Sequence, residues 1–370
     1  MPVRALLFGL LLAWGFLLLP PTAGQSVRTS VVRGRVLDAE TGAPLPRTHV
    51  FVPRTMNGTV TDSTGRFRLT VQPGATRLYV SRVGYANEAF TFRSAPGRPQ
   101  VITVRLSPKV ISSPPVTVSA KRDEEWYERL DRFTRLFIGP SSKAQKCTLL
   151  NPEVLRFEEK WWGKFVAWAE QPLIIENRAL GYRVRYFLKA FEERGSVVRW
   201  DGEPLFERLT PKDSLEAARW RQNRREAYRG SLRHFLRSLI DDRLDEEQFE
   251  LYRIPRAAAF RYTDRADRLP TSRERILRPG PDSTYLLEAH SRLEVVYRGE
   301  PESEAYLDWA DIHRRPPRDY QTSQIELNQS PIHVEPHGEI VEPYGATLYR
   351  YFAFTVRMAH LLPREYEPPE

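Results

Sequence analysis

The residues of this 370-residue sequence that are best suited to hold a metal ion are its seven histidines. A catalytic zinc ion needs about three protein ligands and one open position, and a zinc peptidase would need a His-x-x-Glu pair with a distant third histidine. No histidine in this sequence has a glutamate at that spacing. The nearest candidates, His333 and His337, would lie roughly 13 Å apart in an extended strand, which is too far for one metal ion. We therefore expect no metal ion and no other cofactor.

Other catalytic patterns are also missing from the sequence. It contains no Gly-x-Ser-x-Gly nucleophile elbow, no phosphate-binding glycine loop and no dinucleotide-binding fingerprint. Acidic residues are abundant, at 47 Asp and Glu, and the carboxylate pairs of glycosidases have no fixed spacing in sequence. The sequence thus predicts a protein that is not an enzyme. A hydrolase with an unrecognised carboxylate site in residues 145–362 remains the alternative.

Two groups of side chains are candidates for a binding surface. The first comprises Trp161, Trp162 and Trp168, which lie near Lys160 and Lys164. Aromatic planes beside polar groups suit sugar rings, so this group predicts contact with a glycan. The alternative is that at least two of the tryptophans belong to the core or to an interface, as buried aromatic residues commonly do.

The second group is a run of arginines in a protein of net charge +9. Arg225, Arg229 and Arg233 are spaced four apart, which places them on one face of a helix, opposite an apolar stripe that includes Phe235. Arginine pairs well with phosphates and carboxylates. This face could contact the phosphates of lipopolysaccharide, or it could be a solvated face that pairs with the acidic run 241–247.

The elements that would position these groups fall into two regions. Residues 31–107 contain short β-rich segments separated by turns, with about seven strands in all. Phe67, Leu69 and Val71 alternate with polar residues, which is typical of a half-buried strand. Asn57-Gly58 is a hairpin signal. This pattern predicts a small β-sandwich.

Several short motifs recur in a fixed order within this first region. They are Gly34, Val36 and Asp38; Gly42, Pro44 and Leu45; Thr61, Asp62, Gly65 and Phe67; and Val83, Gly84 and Tyr85. In this order they resemble the carboxypeptidase-regulatory-like domain, here in an exported protein of Bacteroidetes type. The resemblance covers about a fifth of the chain and implies a transthyretin-like (prealbumin-like) all-β sandwich over residues 27–107. That domain is an accessory module of the enzymes for which it is named, so the resemblance does not imply catalysis.

The rest of the chain is predicted to form a second domain. A proline-rich linker over 108–122 precedes a helix over 123–138, whose apolar residues share one stripe. Strands over 152–200, a helix from Thr210 towards Leu244 with a break at Gly230, and further short strands then predict an α+β domain over 123–362. Residues 363–370 are predicted to be a C-terminal tail.

The N-terminus predicts export. Ala5 to Leu19 is an apolar run after one positive charge, and Thr22-Ala23-Gly24 offers small residues for cleavage before Gln25. This order is typical of a secretory signal peptide over residues 1–24, and an uncleaved membrane anchor is the alternative. We expect a location in the periplasm or at the outer membrane, with peripheral membrane association open and no nucleic acid as a partner.

Together these features predict a non-catalytic envelope protein with a binding or assembly role. Its expected partners are another envelope protein, a glycan or lipopolysaccharide, and the oligomeric state is left open. Besides the hydrolase, a second alternative is an accessory part of a TonB-linked outer-membrane uptake system. This alternative rests on the sandwich and on the short valine-rich segment at 116–120, which faintly resembles the box that follows such a sandwich in TonB-dependent transporters.

Overall fold

The computed structural model describes residues 29–95, 97–109, 124–255 and 268–369. The predicted signal peptide and residues 110–122 of the predicted linker lie outside the described residues. No helix within the described part of the chain is long and apolar enough to cross a membrane.

The first region is a sandwich of two sheets, which confirms the predicted fold and the number of about seven strands. Strands β1, β4 and β7 form one sheet in the order β4-β1-β7, and the other four strands form the second in the order β3-β2-β5-β6. β1 is antiparallel to β4 and parallel to β7. The strands are β1 Ser30–Asp38, β2 His49–Phe51, β3 Gly58–Val60, β4 Arg66–Val71, β5 Gly74–Ser81, β6 Glu88–Ser94 and β7 Gln100–Leu106.

The alternating pattern of β4 explains how the sandwich is held together. Phe67, Leu69 and Val71 are buried between the two sheets, and the intervening side chains face solvent. Gly65 precedes this strand with φ +73°, and a Cβ atom there would meet the carbonyl oxygen of Val36 at 2.6 Å. Only glycine fits this turn without strain, because the positive φ and the close approach both exclude a side chain.

The Asn57-Gly58 hairpin is the point at which the sequence prediction needs correction. β2 and β3 do pair, but residues 52–57 separate them, so the connection is longer than the two-residue turn that this dipeptide favours. The longer loop reaches out of the sandwich and pairs with the second region. The Arg54 N–H donates to the carbonyl of Pro204, and the Phe206 N–H donates to the carbonyl of Thr55.

The second region begins with helix α1 and a six-stranded antiparallel sheet. α1 packs Phe133 and Phe137 into the same core as Phe191 and Tyr186 of this sheet. The apolar stripe predicted for this helix therefore faces the sheet. The elements are α1 Glu124–Phe137, β8 Cys147–Leu149, β9 Leu155–Lys160, β10 Lys164–Ala169, β11 Leu173–Asn177, β12 Tyr182–Arg194 and β13 Val197–Arg208.

Two helices then lead into a pair of smaller sheets. The five-stranded sheet has the order β15-β14-β18-β19-β22 and the four-stranded sheet the order β16-β17-β20-β21. α3 covers a core that draws on both sheets, with Phe235, Leu293 and Val334 fully buried in it. The elements are α2 Ser214–Tyr228, α3 Leu232–Ile240, β14 Phe249–Ile254, β15 Leu269–Pro270, α4 Arg273–Ile276, β16 Leu277–Pro279, β17 Tyr285–Leu287, β18 Arg292–Tyr297, α5 Glu304–Trp309, β19 Gln321–Leu327, β20 Ile332–Glu335, β21 Glu339–Ile340, β22 Ala346–Arg350 and α6 Tyr351–Thr355. This mixture of helices and sheets confirms the predicted α+β class.

The sandwich is attached to the second region by an aromatic contact. Phe187 of β12 stacks on Phe51 at a ring-centroid distance of 4.8 Å, and it meets the edge of Tyr79 at 5.8 Å. These three buried rings form a small core of their own with the half-buried Leu205. Aromatic pairs at such distances stabilise a contact by about 0.5–1.5 kcal/mol beyond the burial of their area.

This contact can be tested by the substitution Phe187→Ala. We expect it to lower the free energy of unfolding by about 3–5 kcal/mol, as for other buried phenylalanines, and to let the sandwich unfold in a separate step. Phe90→Ala is the matched control, because Phe90 packs on the core of the sandwich itself. Urea unfolding followed by circular dichroism measures both variants. One transition for Phe187→Ala, shifted no further than that of the control, would contradict the expectation.

Candidate functional site: a cavity between the sandwich and the second region

A cavity of about 520 Å³ lies where the sandwich meets the second region. Arg54 and Arg77 of the sandwich line one side of it, and the hairpin of β12 and β13 lines another. The remaining walls come from the start of α3, from β20–β22 with their connections, and from residues 355–364. A volume of this size suits a small molecule.

Charged side chains from distant parts of the chain meet in this cavity. Arg364 donates from Nη2 to the carboxylates of Glu335 and Glu339, the second at 2.7 Å. The Arg54 Nε lies 3.7 Å from the Glu339 carboxylate. Glu335 and Glu339 face each other across the β20–β21 hairpin, so two carboxylates share one guanidinium.

The two carboxylates differ in their electrostatic surroundings. Burial acts to raise the pKa of Glu339, but the guanidinium groups of Arg54 and Arg364 outweigh it and lower the pKa below its ordinary value. Burial raises the pKa of Glu335, and the neighbouring Arg364 only partly offsets that effect. Glu339 is therefore the carboxylate of the pair that keeps its negative charge more readily.

A second ion-pair cluster lies on the β12–β13 side. The buried carboxylate of Glu203 accepts from Arg77 at 2.8 Å and from Lys189 at 2.7 Å. Asp201 lies 3.6 Å from the same lysine. This cluster joins β5 of the sandwich to the hairpin, so it reinforces the aromatic contact made by Phe187.

Arg233 holds the segment that closes the cavity. Its guanidinium donates to the carbonyl oxygens of His337, Pro363, Arg364 and Tyr366, at distances from 2.6 to 3.2 Å. The first residues of the predicted C-terminal tail are therefore bound to the body of the protein. The charge of Arg233 is used for carbonyl groups, not for carboxylates.

Arg357 differs from the other cationic residues of the cavity. Nη1 donates to the carbonyl of Val356 at 2.9 Å, and the guanidinium lies 5.1 Å from the ring centroid of Trp200. It forms no ion pair with a carboxylate among the described residues. Burial alone lowers the pKa of Arg357 to about 10.

His360 is the one histidine that lines the cavity. Its Nε2 and the Ser141 hydroxyl share a hydrogen bond of 2.8 Å. Burial, assisted by the charge of Lys143, lowers the pKa of His360 to about 3. The imidazole is therefore neutral at physiological pH. No group of three or more His, Cys, Asp or Glu side chains that could hold a metal ion occurs within the described residues.

The tryptophans predicted to bind a ligand lie away from the cavity. Trp161 and Trp162 occupy the turn between β9 and β10 and contact each other edge-to-face at 5.3 Å. Their exposed fractions are 92% and 48%, and that of Trp168 on β10 is 39%. All three thus reach solvent on the six-stranded sheet. Glycan binding at this surface stays a prediction.

The predicted arginine face requires correction. α2 ends at Tyr228 and α3 begins at Leu232, so the three arginines do not lie along one helix. Gly230 lies between the helices with φ +65°, and a Cβ there would meet Gln321 at 2.4 Å. Arg225 closes α2, Arg229 follows it in the exposed turn, and Arg233 points into the cavity wall. Only Arg233 therefore belongs to the site.

The comparisons with known proteins concern the sandwich. The family model of the CarboxypepD_reg-like domain matches residues 32–118, so the resemblance carried by the ordered motifs is confirmed for this domain. A search of curated proteins finds no match. The family model covers the sandwich strands and stops before α1, which leaves the second region and the cavity without a family assignment.

Solved structures share only a partial likeness with this chain. Catechol 1,2-dioxygenase from Acinetobacter sp. ADP1 is 12% identical over 25% of this chain and 59% of its own, with a TM-score of 0.20. A type II cohesin–X-dockerin complex from Acetivibrio cellulolyticus is 16% identical over 31% and 79%, with a TM-score of 0.18. A minor pilin of Streptococcus agalactiae is 17% identical over 24% and 47%, also at 0.18. Likenesses this low carry no functional argument.

The lowered pKa of His360 predicts a pH-dependent contribution to stability. Above its unfolded-state pKa of 6.5 the histidine is neutral in both states, and the contribution is complete. Between about pH 6.5 and pH 3 only the unfolded chain takes up the proton, so stability is lost as the pH falls. From pH 7.5 to pH 5 this amounts to about 2 kcal/mol. His360→Gln should remove that part of the pH dependence, and thermal unfolding across this range measures it.

His290→Gln provides the control for this titration, because the His290 side chain is largely exposed. It should leave the pH dependence of unfolding unchanged. If the wild-type protein and His360→Gln lose stability in parallel towards pH 5, the burial of a neutral His360 is not the cause.

Proposed function

We propose that this protein is a non-catalytic binding protein and that it takes a small polar ligand into the cavity between the sandwich and the second region. The observation that carries this proposal is the construction of the cavity wall. Arg54 and Arg77 come from the accessory sandwich, and all other lining residues except Pro53 come from the second region. A ligand in the cavity would contact both parts at once.

The ion pairs of the cavity favour binding over catalysis. Glu203, Glu335 and Glu339 each contact an arginine, so none of these carboxylates is held ready for proton transfer. Buried pairs of this kind contribute little to net stability, because the desolvation of both charges offsets their attraction. They do fix side-chain positions, which is what a binding site needs.

A cavity-filling substitution tests the proposal. Val341 lines the cavity and is 49% exposed, so Val341→Trp should occupy part of its volume. The control is Val83→Trp, at a residue of the sandwich that is 58% exposed and outside the cavity lining. We would measure melting temperatures with a panel of neutral sugars, amino acids, dicarboxylates and sugar phosphates.

The expected result is that at least one class of compound raises the melting temperature of the wild-type protein and of Val83→Trp, but not that of Val341→Trp. A ligand at 100 times its Kd stabilises the folded state by about 2.7 kcal/mol, which such a measurement detects. Equal shifts for both variants, or no shift for any compound, would contradict a binding role for the cavity.

A hydrolase is the second candidate, and one observation favours it. Glu335 and Glu339 converge on Arg364, and their pKa values are displaced in opposite directions. Carboxyl groups with separated pKa values are typical of general acid and base pairs. Mass spectrometry of the same panel after incubation distinguishes the candidates. Products that form with the wild-type protein and are lost with Glu335→Gln would replace the binding proposal by a hydrolase.

We also propose that the protein is exported to the periplasm or outer membrane, on the strength of the charged, apolar and small-residue zones in residues 1–24. Protein isolated from the envelope fraction should begin near Gln25 in N-terminal sequencing. Intact Met1 on protein from the cytoplasmic fraction would contradict this proposal.

A further inference from the structure

The charges of the cavity do not balance locally at one position. Six cationic side chains line it, and four of them lie within 4 Å of a carboxylate while a fifth donates to four carbonyl groups. The four paired residues are Arg54, Arg77, Lys189 and Arg364, and the fifth is Arg233. Arg357 is the sixth, and no described carboxylate lies within ion-pair distance of it.

Arg357 is nevertheless held firmly in place. Its Cβ and Cγ pack against Gly139, where an added Cβ would approach them to within 2.8 Å and 2.9 Å. The guanidinium lies beside the Trp200 ring, which supports it through a cation–π contact. A guanidinium has five N–H donors, and the Val356 carbonyl takes one of them. Most of the hydrogen-bonding capacity of a fixed cation therefore remains for another molecule.

Apolar side chains line the cavity together with Arg357. They include Val341, Leu348 and Leu361, and the Trp200 ring adds an aromatic surface. A ligand that fits such a lining combines an anionic group with an apolar body. The planar guanidinium fork matches the two oxygens of a carboxylate or a phosphate.

Resting on the proposed binding function, we propose that Arg357 binds the carboxylate or phosphate group of an amphiphilic anion, whose apolar body contacts Trp200 and the aliphatic wall. An unpaired, buried guanidinium destabilises the empty protein, because its desolvation is not compensated by a carboxylate. A purely structural arginine would have the opposite effect. The two roles therefore predict opposite changes in stability when Arg357 is replaced.

Isothermal titration calorimetry at pH 7 tests this assignment with defined probes. They are 3-phenylpropionate, 3-phenylpropyl phosphate, the neutral 3-phenylpropanamide, and inorganic phosphate alone. The variants are Arg357→Gln, which removes the charge, and Arg357→Lys, which keeps it without the planar fork. Arg135→Gln is the control: Arg135 lies on the exposed face of α1, and its replacement changes the net charge by the same amount.

We expect at least one of the two aromatic anions to bind the wild-type protein and Arg135→Gln equally. Arg357→Gln should weaken that binding at least tenfold, and Arg357→Lys should weaken it less. The amide should bind at least tenfold more weakly than the anion of the same shape. The ratio between carboxylate and phosphate identifies the headgroup, and inorganic phosphate measures how much the apolar body adds. Without ligand, Arg357→Gln should melt at the wild-type temperature or about 2 °C higher.

The outcomes separate this inference from the proposed function. Tight binding of the amide that Val341→Trp abolishes would retain the cavity as a binding site and overturn the role of Arg357. Anion binding that is unchanged in Arg357→Gln would overturn that role as well. A large drop in the melting temperature of empty Arg357→Gln would show that the arginine is structural. No binding of any probe would overturn the amphiphilic anion as the ligand class, and the wider panel would then decide the proposed function.

Discussion

Phe187 stacks on Phe51 and Tyr79 at the junction between the sandwich and the second region. This contact brings the loop of residues 52–57 against β13, and it sets Arg54 and Arg77 opposite the carboxylates of the second region. Without it the sandwich would still possess a core of its own, centred on residues such as Val36 and Leu78. The cavity would then lack one wall. The site therefore depends on how two folded parts pack together more than on either part alone.

The cavity also shows why buried charge is used sparingly elsewhere in the protein. Arg54, Glu339 and Arg364 come from three separate segments, and each satisfies part of the charge of another. Removing one member of such a cluster leaves an uncompensated charge, which costs more than the cluster contributes as a whole. The arrangement thus selects one packing of the three segments. Arg357 lies outside this mutual compensation, and this sets it apart from its neighbours.

Local patterns were sufficient to predict the elements but not the site. The alternation at Phe67, Leu69 and Val71 and the stripe of α1 report which side of an element is buried, and both faces lie where the pattern placed them. Arg54 and Glu339 are 285 positions apart, and no periodicity links them. Arg357 is one of many arginines spread along the chain, so composition could not distinguish it. The regular spacing from Arg225 to Arg233 misled because Gly230 ends one helix before the next begins.

The segment held by Arg233 gives the cavity a place in the order of folding. The carboxylate of Glu365 accepts from the Met56 N–H across 309 positions of sequence, so this wall closes by one of the longest-range contacts in the chain. Long-range contacts form late, because a large loop of chain must be ordered before they are made. The sandwich can complete its own sheets early, from neighbours in sequence. The pocket thus belongs to the last stage of folding, and an intermediate with an intact sandwich would still be unable to hold a ligand.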